Sequence, residues 1–290
     1  MPIDLHIHSN CSDGVFSVQE IMKEARKRNI KLLSITDHDT VDCQEEAMIM
    51  AEKRGIPYVS GVELNITFSN PGYRENKRIS LDILGYQFDV RDKSLRKELF
   101  RIAKHREERG KKILFKINVE LEKEGVEKLT IDDFNKIRKS ADGVLGRPHI
   151  ANYLVGKGIV MTKQEAFDKY LVKCNVPKYP LPLEAASRLI RDAGGKAILA
   201  HPNDPHGTSL VRVTKSLHEQ TKIIQESMLE HIDGIECWHS RNDVSTTNHY
   251  VGFAREHNLI MTGGSDCHQK PILIGTVNIP QFVAAQFSTD

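Results

Sequence analysis

The chain has 290 residues, 39% of them hydrophobic and 28% charged, and its 41 Lys and Arg nearly balance 39 Asp and Glu. That composition excludes a disordered chain, and with no apolar run of 18 residues a membrane-spanning helix is not expected. No basic leader or apolar signal core opens the sequence, and five scattered cysteines, at 11, 43, 174, 237 and 267, argue against a disulfide framework and for a reducing, cytoplasmic setting. The length suits one α/β barrel carrying an insertion.

Alternation of Ile3, Leu5 and Ile7 predicts a first strand, and Val18, Ile21, Met22 and Ala25 recur at helical spacing within residues 17–29, behind a Ser cap. A second strand is expected over 32–36, a second helix ending near Gly55, and further strands over 57–62 and 79–84. From 91 to 178 the pattern becomes mainly helical: Leu95, Leu99, Ile102, Ile113 and Ile117 keep a helical period, and helices are predicted over 131–139, 148–155 and 163–172. Within it, residues 91–116 hold eleven basic and four acidic side chains, either a solvated helix face or a basic lip for an anionic substrate. A helix over 183–193 stops at Gly194-Gly195, a strand follows over 196–200, a long helix over roughly 211–230, and strands over 234–238 and 259–262. This order predicts an α/β barrel in two parts, 1–90 and 179–290, interrupted by a helical insertion at 91–178, with its chemistry at the carboxyl ends of the strands.

Those strand ends carry a distinctive set of side chains. His6 and His8 stand two apart on a strand and so share one face. Asp13 follows in a Ser-Asp-Gly turn, Thr36-Asp37-His38-Asp39 follows the second strand, Glu63 the third, His201 the strand at 196–200, and Asp266-Cys267-His268 the last. Any one alone reads as a cap, a turn carboxylate or a core histidine; together they read as a polynuclear metal site. Five histidines and three carboxylates exceed the roughly four ligands of one zinc ion, so two or three divalent ions are expected. Imidazole and carboxylate without thiolate suit manganese, iron or zinc, and ligand type alone does not choose among them; manganese is expected first, and Cys267 is taken as structural. No nucleophile elbow, Walker loop or Rossmann fingerprint is present.

In their order, His-x-His-Ser with Asp13, Thr-Asp-His-Asp, Gly-Val-Glu, Ala-His-Pro and Gly-Ser-Asp-Cys-His resemble the motifs of the PHP (polymerase and histidinol phosphatase) family of metal-dependent phosphoesterases, over nearly the whole chain. Gly146-Arg147-Pro148-His149-Ile150 and the Gly194-Gly195-Lys196-Ala197 run are similar to its stand-alone nucleotide phosphoesterases, which remove the 3′-phosphate of nucleoside 3′,5′-bisphosphates or trim short RNA from the 5′ end. The resemblance implies a distorted (β/α)7, TIM-like barrel. It also implies one metal on His6, His8, Glu63 and Asp266, a second on Asp13, His38 and His268, and a third held partly by His201 with Glu63 bridging. Where many members have a histidine before Leu-Gly-Tyr this chain has Asp82, which either ligates the third ion or lies outside it.

Pro148 is suited to the first turn of a helix, which puts Arg147 at an anion-favouring amino terminus. Arg147 and His149 are therefore expected to bind or act on substrate, with Asp266 catalytic through the metals and His239 at the pocket or its rim; His105, His206, His218, His231, His249 and His257 are taken as structural or exposed. The expected reaction is phosphoester hydrolysis of a nucleotide or short RNA by a hydroxide bridging two ions, with no membrane or obligate protein partner. The alternatives are a histidinol phosphate phosphatase, an amidohydrolase-like hydrolase, and a catalytically silent metal- or nucleotide-binding module.

Overall fold

The computed structural model describes residues 2–73, 77–141 and 143–287. Among the described residues, seven strands form two sheets. β1 (Ile3–Asp4) pairs in parallel with β2 (Leu32–Leu33), and β3 (Gly61–Phe68), β4 (Ile79–Tyr86), β5 (Lys196–Leu199), β6 (Gly234–His239) and β7 (Ile260–Gly264) form the second sheet in that order. The expected barrel is corrected in two respects. β3–β4 and β4–β5 are antiparallel, because β3 and β4 are joined without a helical crossover; only β5–β6 and β6–β7 are parallel. Among the described residues the ladders do not close into a continuous barrel: isolated bridges, Ile7 with Cys267 and His38 with Glu63, link the small sheet to the edges of the large one. β1 and β2 are also shorter than predicted, since beyond Asp4 and Leu33 the chain bends to deliver ligands instead of continuing a ladder.

The helices follow their sequence signals. Ser17 and Glu20 make a reciprocal capping box at α1 (Val18–Lys27), whose Val18, Ile21, Met22 and Ala25 are buried, and Gly55 closes α2 (Gln44–Arg54) in the left-handed conformation that glycine adopts at little cost. α3 (Lys93–Lys123) is a 31-residue rod, about 46 Å long at 1.5 Å per residue. Leu95, Leu99 and Ile102 on its first half join the core around β3, β4 and β5, whereas Ile113, Leu114, Ile117 and Leu121 join a second core with α4 (Ile131–Ser140), α5 (Arg147–Gly156) and α6 (Lys163–Ala166), which runs on as a π-turn at Phe167–Leu171. One helix thus belongs to both cores and fixes the helical segment against the sheet. α7 (Leu183–Asp192) precedes β5. The long helix expected near 211–230 is a 3₁₀ turn (Leu210–Arg212) followed by α8 (Leu217–Ser227), capped by Ser216; α9 (Val244–Glu256) and α10 (Phe282–Ala285) complete the chain. No helix among the described residues is long and apolar enough to cross a membrane.

Candidate metal centre and anion pocket

The side chains singled out at the strand ends converge. The Nε2 atoms of His6 and His8 lie 3.2 Å apart, and each is 3.2–3.5 Å from Glu63 Oε2 and Asp266 Oδ1. His38 Nδ1 is 2.9 Å from Glu63 Oε2, His201 Nε2 is 3.0 Å from Glu63 Oε1, and His268 spans Asp13 and Asp266 at 3.3 Å each. Glu63 is not at a strand end as expected but three residues into β3, opposite Leu84, so its buried carboxylate is carried by the sheet itself. Asp39, His201 and Asp266 are held at φ of 52°, 23° and 52°, in the left-handed region that a residue with a Cβ occupies at a cost of order 1–3 kcal/mol. Gly264 makes the convergence sterically feasible: a Cβ there would stand 2.2 Å from His6 Cβ.

Electrostatics describe a cluster built for cations. Burial opposes protonation of His38, His201 and His268, yet the carboxylates around them lift the first two to about 9 and His268 to about 10. Burial likewise pushes Asp13, Glu63 and Asp266 upward, but the facing imidazoles hold all three well below the usual carboxylate range. The buried Nδ1 atoms of His8 and His201 have no hydrogen-bond partner. Donor separations near 3 Å match neighbouring ligands around an ion bound at roughly 2.0–2.2 Å. The residues therefore fit divalent ions, in four overlapping groups: His8, Asp13, His38 and His268; His6, His8 and Asp266; His6, Glu63 and His201; His38, Glu63 and Asp82.

The expected pairing of ligands differs in detail. His8 stands with the Asp13 group as well as with His6, and His6 with His201. Asp82 approaches Glu63 and His38, but Asn65 Nδ2 donates to its Oδ1 at 2.6 Å and His201 stays 3.8 Å away; burial, then the Glu63 charge, raise its pKa.

At the cluster opens a cavity of about 320 Å³, lined by Asp13, His38, Glu63, Asp82, Asp266 and His268 and also by Arg106, Arg109, Arg147, Arg212 and Arg241, of which Arg241 pairs with Asp204 and Asp266. Arg147 starts α5 as predicted; its guanidinium lies 5.4 Å from the Phe167 ring centroid, and burial and then the Arg212 charge lower its pKa. Arg109 donates to Val176 O and Asn175 Oδ1, neither of them charged, and burial followed by Arg147 and Arg106 brings it down to about 10. Of the eleven basic residues in 91–116 only Arg106 and Arg109 line this cavity, and Arg106 is paired with Asp39. His149 turns back to its own helix, Nδ1 accepting from Gly146 N at 3.0 Å, and is not among the lining residues; burial lowers its pKa. His239 is buried beneath the cluster, 3.4 Å from Asp266 Oδ2, instead of at a rim. His206, read as without a role, lines the cavity.

The cysteines also differ from expectation: Cys11 and Cys43 form a disulfide, while Cys174, Cys237 and Cys267 are free and buried. Sequence spacing could not foresee a pair brought together by the meeting of two loops. Nor did it flag Glu236, whose Oε1 lies 3.0 Å from His6 Nδ1 while Oε2 accepts from His201 N at 2.8 Å. Its signal, an acidic residue alternating within the apolar strand Gly-Ile-Glu-Cys-Trp-His, was present but has no motif.

A family model for the PHP domain matches residues 4–171. The chain belongs to the PHP domain family. Among curated PHP relatives, it is 29% identical to a 3′,5′-nucleoside bisphosphate phosphatase of Chromobacterium violaceum over 92% of this chain and 87% of the relative, and 30% identical to a 5′-3′ exoribonuclease of Haemophilus influenzae over 91% and 89%. Of solved structures, a candidate metal-dependent phosphoesterase of Bifidobacterium adolescentis superposes with a TM-score of 0.81 at 25% identity, covering 100% of this chain and 99% of the other. An amidohydrolase of Chromobacterium violaceum, solved with sulfate and no metal, gives 0.79 at 27%, covering 98% and 93%. The PHP chain is a hydrolase of the metal-dependent phosphoesterase type.

Proposed function

We propose that this PHP protein removes the 3′-phosphate of nucleoside 3′,5′-bisphosphates. The observation that carries the reading is one cavity lined both by the histidine–carboxylate cluster and by arginines. The cluster takes the phosphate to be cleaved; Arg109, Arg147 and Arg212 take the phosphate that stays. Arg109, buried, and Arg147, half-buried, repel each other and gain from a dianion that neutralises them. Two or three divalent ions, manganese foremost, would be held by His6, His8, Asp13, His38, Glu63, His201, Asp266 and His268, with Asp82 as a further ligand; such ions lower the pKa of bound water from about 15.7 toward 7 and neutralise phosphoryl oxygens. The chain's own groups do the positioning: Asp266 presents Oδ1 to the imidazoles while Oδ2 is held by His239 and Arg241.

A short 5′-phosphorylated RNA is the second reading, supported by the exoribonuclease relative. The test is turnover with Mn²⁺: phosphate release from bisphosphate nucleotides, mononucleotides and histidinol phosphate, nucleotide release from 5′-phosphorylated oligonucleotides and, against the amidohydrolase reading, ring opening of cyclic amides. Bisphosphates are expected to give the highest kcat/KM. Turnover in ¹⁸O water should label the released phosphate; unlabelled phosphate would reject attack by water.

A further inference from the structure

Two loops meet beside the metal cluster. Residues 9–14 carry Asp13, and the segment after β2 carries His38 and runs into α2. Asp37 ties them together: its carboxylate accepts from Ser9 N at 2.7 Å, Ser9 Oγ at 2.5 Å and Ser12 Oγ at 2.6 Å. Cys11 and Cys43 make a second, covalent tie, with Cα atoms 6.2 Å apart and a sequence separation of 32. Cys43 is buried at the amino-terminal cap of α2, and Cys11 is partly buried. The Cys11 carbonyl accepts from Val144 N at 3.0 Å, in the stretch that leads to Arg147, and a Cβ on Gly143 would fall 1.8 Å from that oxygen. Both the ligand loops and the anion-binding segment are thus referenced to Cys11.

We propose that Cys11 and Cys43 are a reversible thiol–disulfide pair whose oxidation strengthens metal binding at His8, Asp13, His38 and His268; this rests on the metal site proposed above. The bond and an ion at that group would cross-link the same two loops, one joining Cys11 to Cys43 and the other Asp13 to His38. Each cross-link removes freedom that the other would otherwise have to remove, so they reinforce one another, and linkage makes the effect reciprocal. The Asp37 hydrogen bonds persist without the disulfide, so reduction loosens the loops and leaves the fold intact. Oxidation proceeds by exchange with a low-molecular-weight disulfide. The two cysteine sulfurs lose two electrons and join, the reagent's S–S bond is reduced, and the two cysteine protons leave on the two thiols released.

The experiment uses the full chain, incubated with oxidised glutathione or with dithiothreitol and then freed of reagent. Alkylation under denaturing conditions should add three labels to the oxidised form and five to the reduced one, matching the three free cysteines and the total of five. Equilibrium dialysis with Mn²⁺ should give a dissociation constant at least about fivefold lower for the oxidised protein, the lower end of usual coupling. Mn²⁺ should shift the glutathione ratio at half-oxidation in the matching direction, and Cys43→Ser should bind Mn²⁺ like reduced protein under both treatments. Five labels after either treatment, or equal Mn²⁺ affinity in the two forms, would overturn the proposal. Absence of Mn²⁺ binding in both forms would overturn the metal reading with it, whereas equal tight binding would leave that reading standing.

Discussion

Replacing Glu236 by Gln isolates a buried carboxylate that lies 3.0 Å from the outer nitrogen of His6 and accepts the amide hydrogen of His201, thereby fixing two ligand-bearing strand ends at once. Gln fills nearly the same volume but keeps a single acceptor oxygen, so its NH₂ must face one of two donors in a site with no exposed surface. The loss is one charge-assisted hydrogen bond, about 1.5–3 kcal/mol. If it falls on the arrangement that binds metal, affinity drops about 10- to 150-fold at 1.4 kcal/mol per decade, close to the usual effect of losing a partner of a ligating histidine. Equilibrium dialysis with Mn²⁺ measures the loss, and phosphate release at saturating Mn²⁺ should recover much of kcat. A variant with wild-type Mn²⁺ affinity and wild-type urea stability would refute the argument that Glu236 orients His6.

Arg109→Met and Arg147→Met should each raise KM about 10-fold or more for a bisphosphate nucleotide, the value of a charged hydrogen bond, and leave KM for a monoester lacking the second phosphate nearly unchanged; equal losses on both substrates would contradict the division of the pocket. In the metal-free protein, His38, His201 and His268 titrate at about 9, 9 and 10, above their unfolded value near 6.5. Their contribution to stability is therefore complete below about pH 6.5 and lost as pH rises through 9–10. Mn²⁺ must displace those protons, so calorimetry at pH 8 in buffers of different ionisation enthalpy should detect release of at least about one proton. Arg106→Met strands the buried Asp39 carboxylate and should cost about 3–5 kcal/mol in urea unfolding. Gly264→Ala, with no room between β7 and His6, should abolish metal binding or folding, read by dialysis and circular dichroism.

Much of the centre was legible because metal chemistry constrains residue type, and strand period constrains which side chains share a face. His6 and His8 could be placed together from spacing alone, and the Ser17, Pro148 and Gly55 signals marked helix ends where they occur. Less legible were the roles that depend on partners distant in sequence. Arg109 lies in a run of like residues; it continues the stripe of Ile102 and Ile113 at helical spacing, whereas Lys111 and Lys112 are in solvent, but only tertiary packing decides that this stripe meets the cavity there. His149 looked free to meet substrate, but its Nδ1 closes its own helix.

By itself the sequence determined which residues are candidate ligands, the alternation of strands and helices around a basic helical segment, and the family, because these depend on residue type and local period. Tertiary structure alone decided that β3 and β4 are antiparallel, that Glu63 rises from within a strand, that Glu236 supports His6 and His201, and that Cys11 meets Cys43. These are contacts between residues 11 to 230 positions apart, set by how the sheets and loops come together in space, and no local pattern encodes such a meeting.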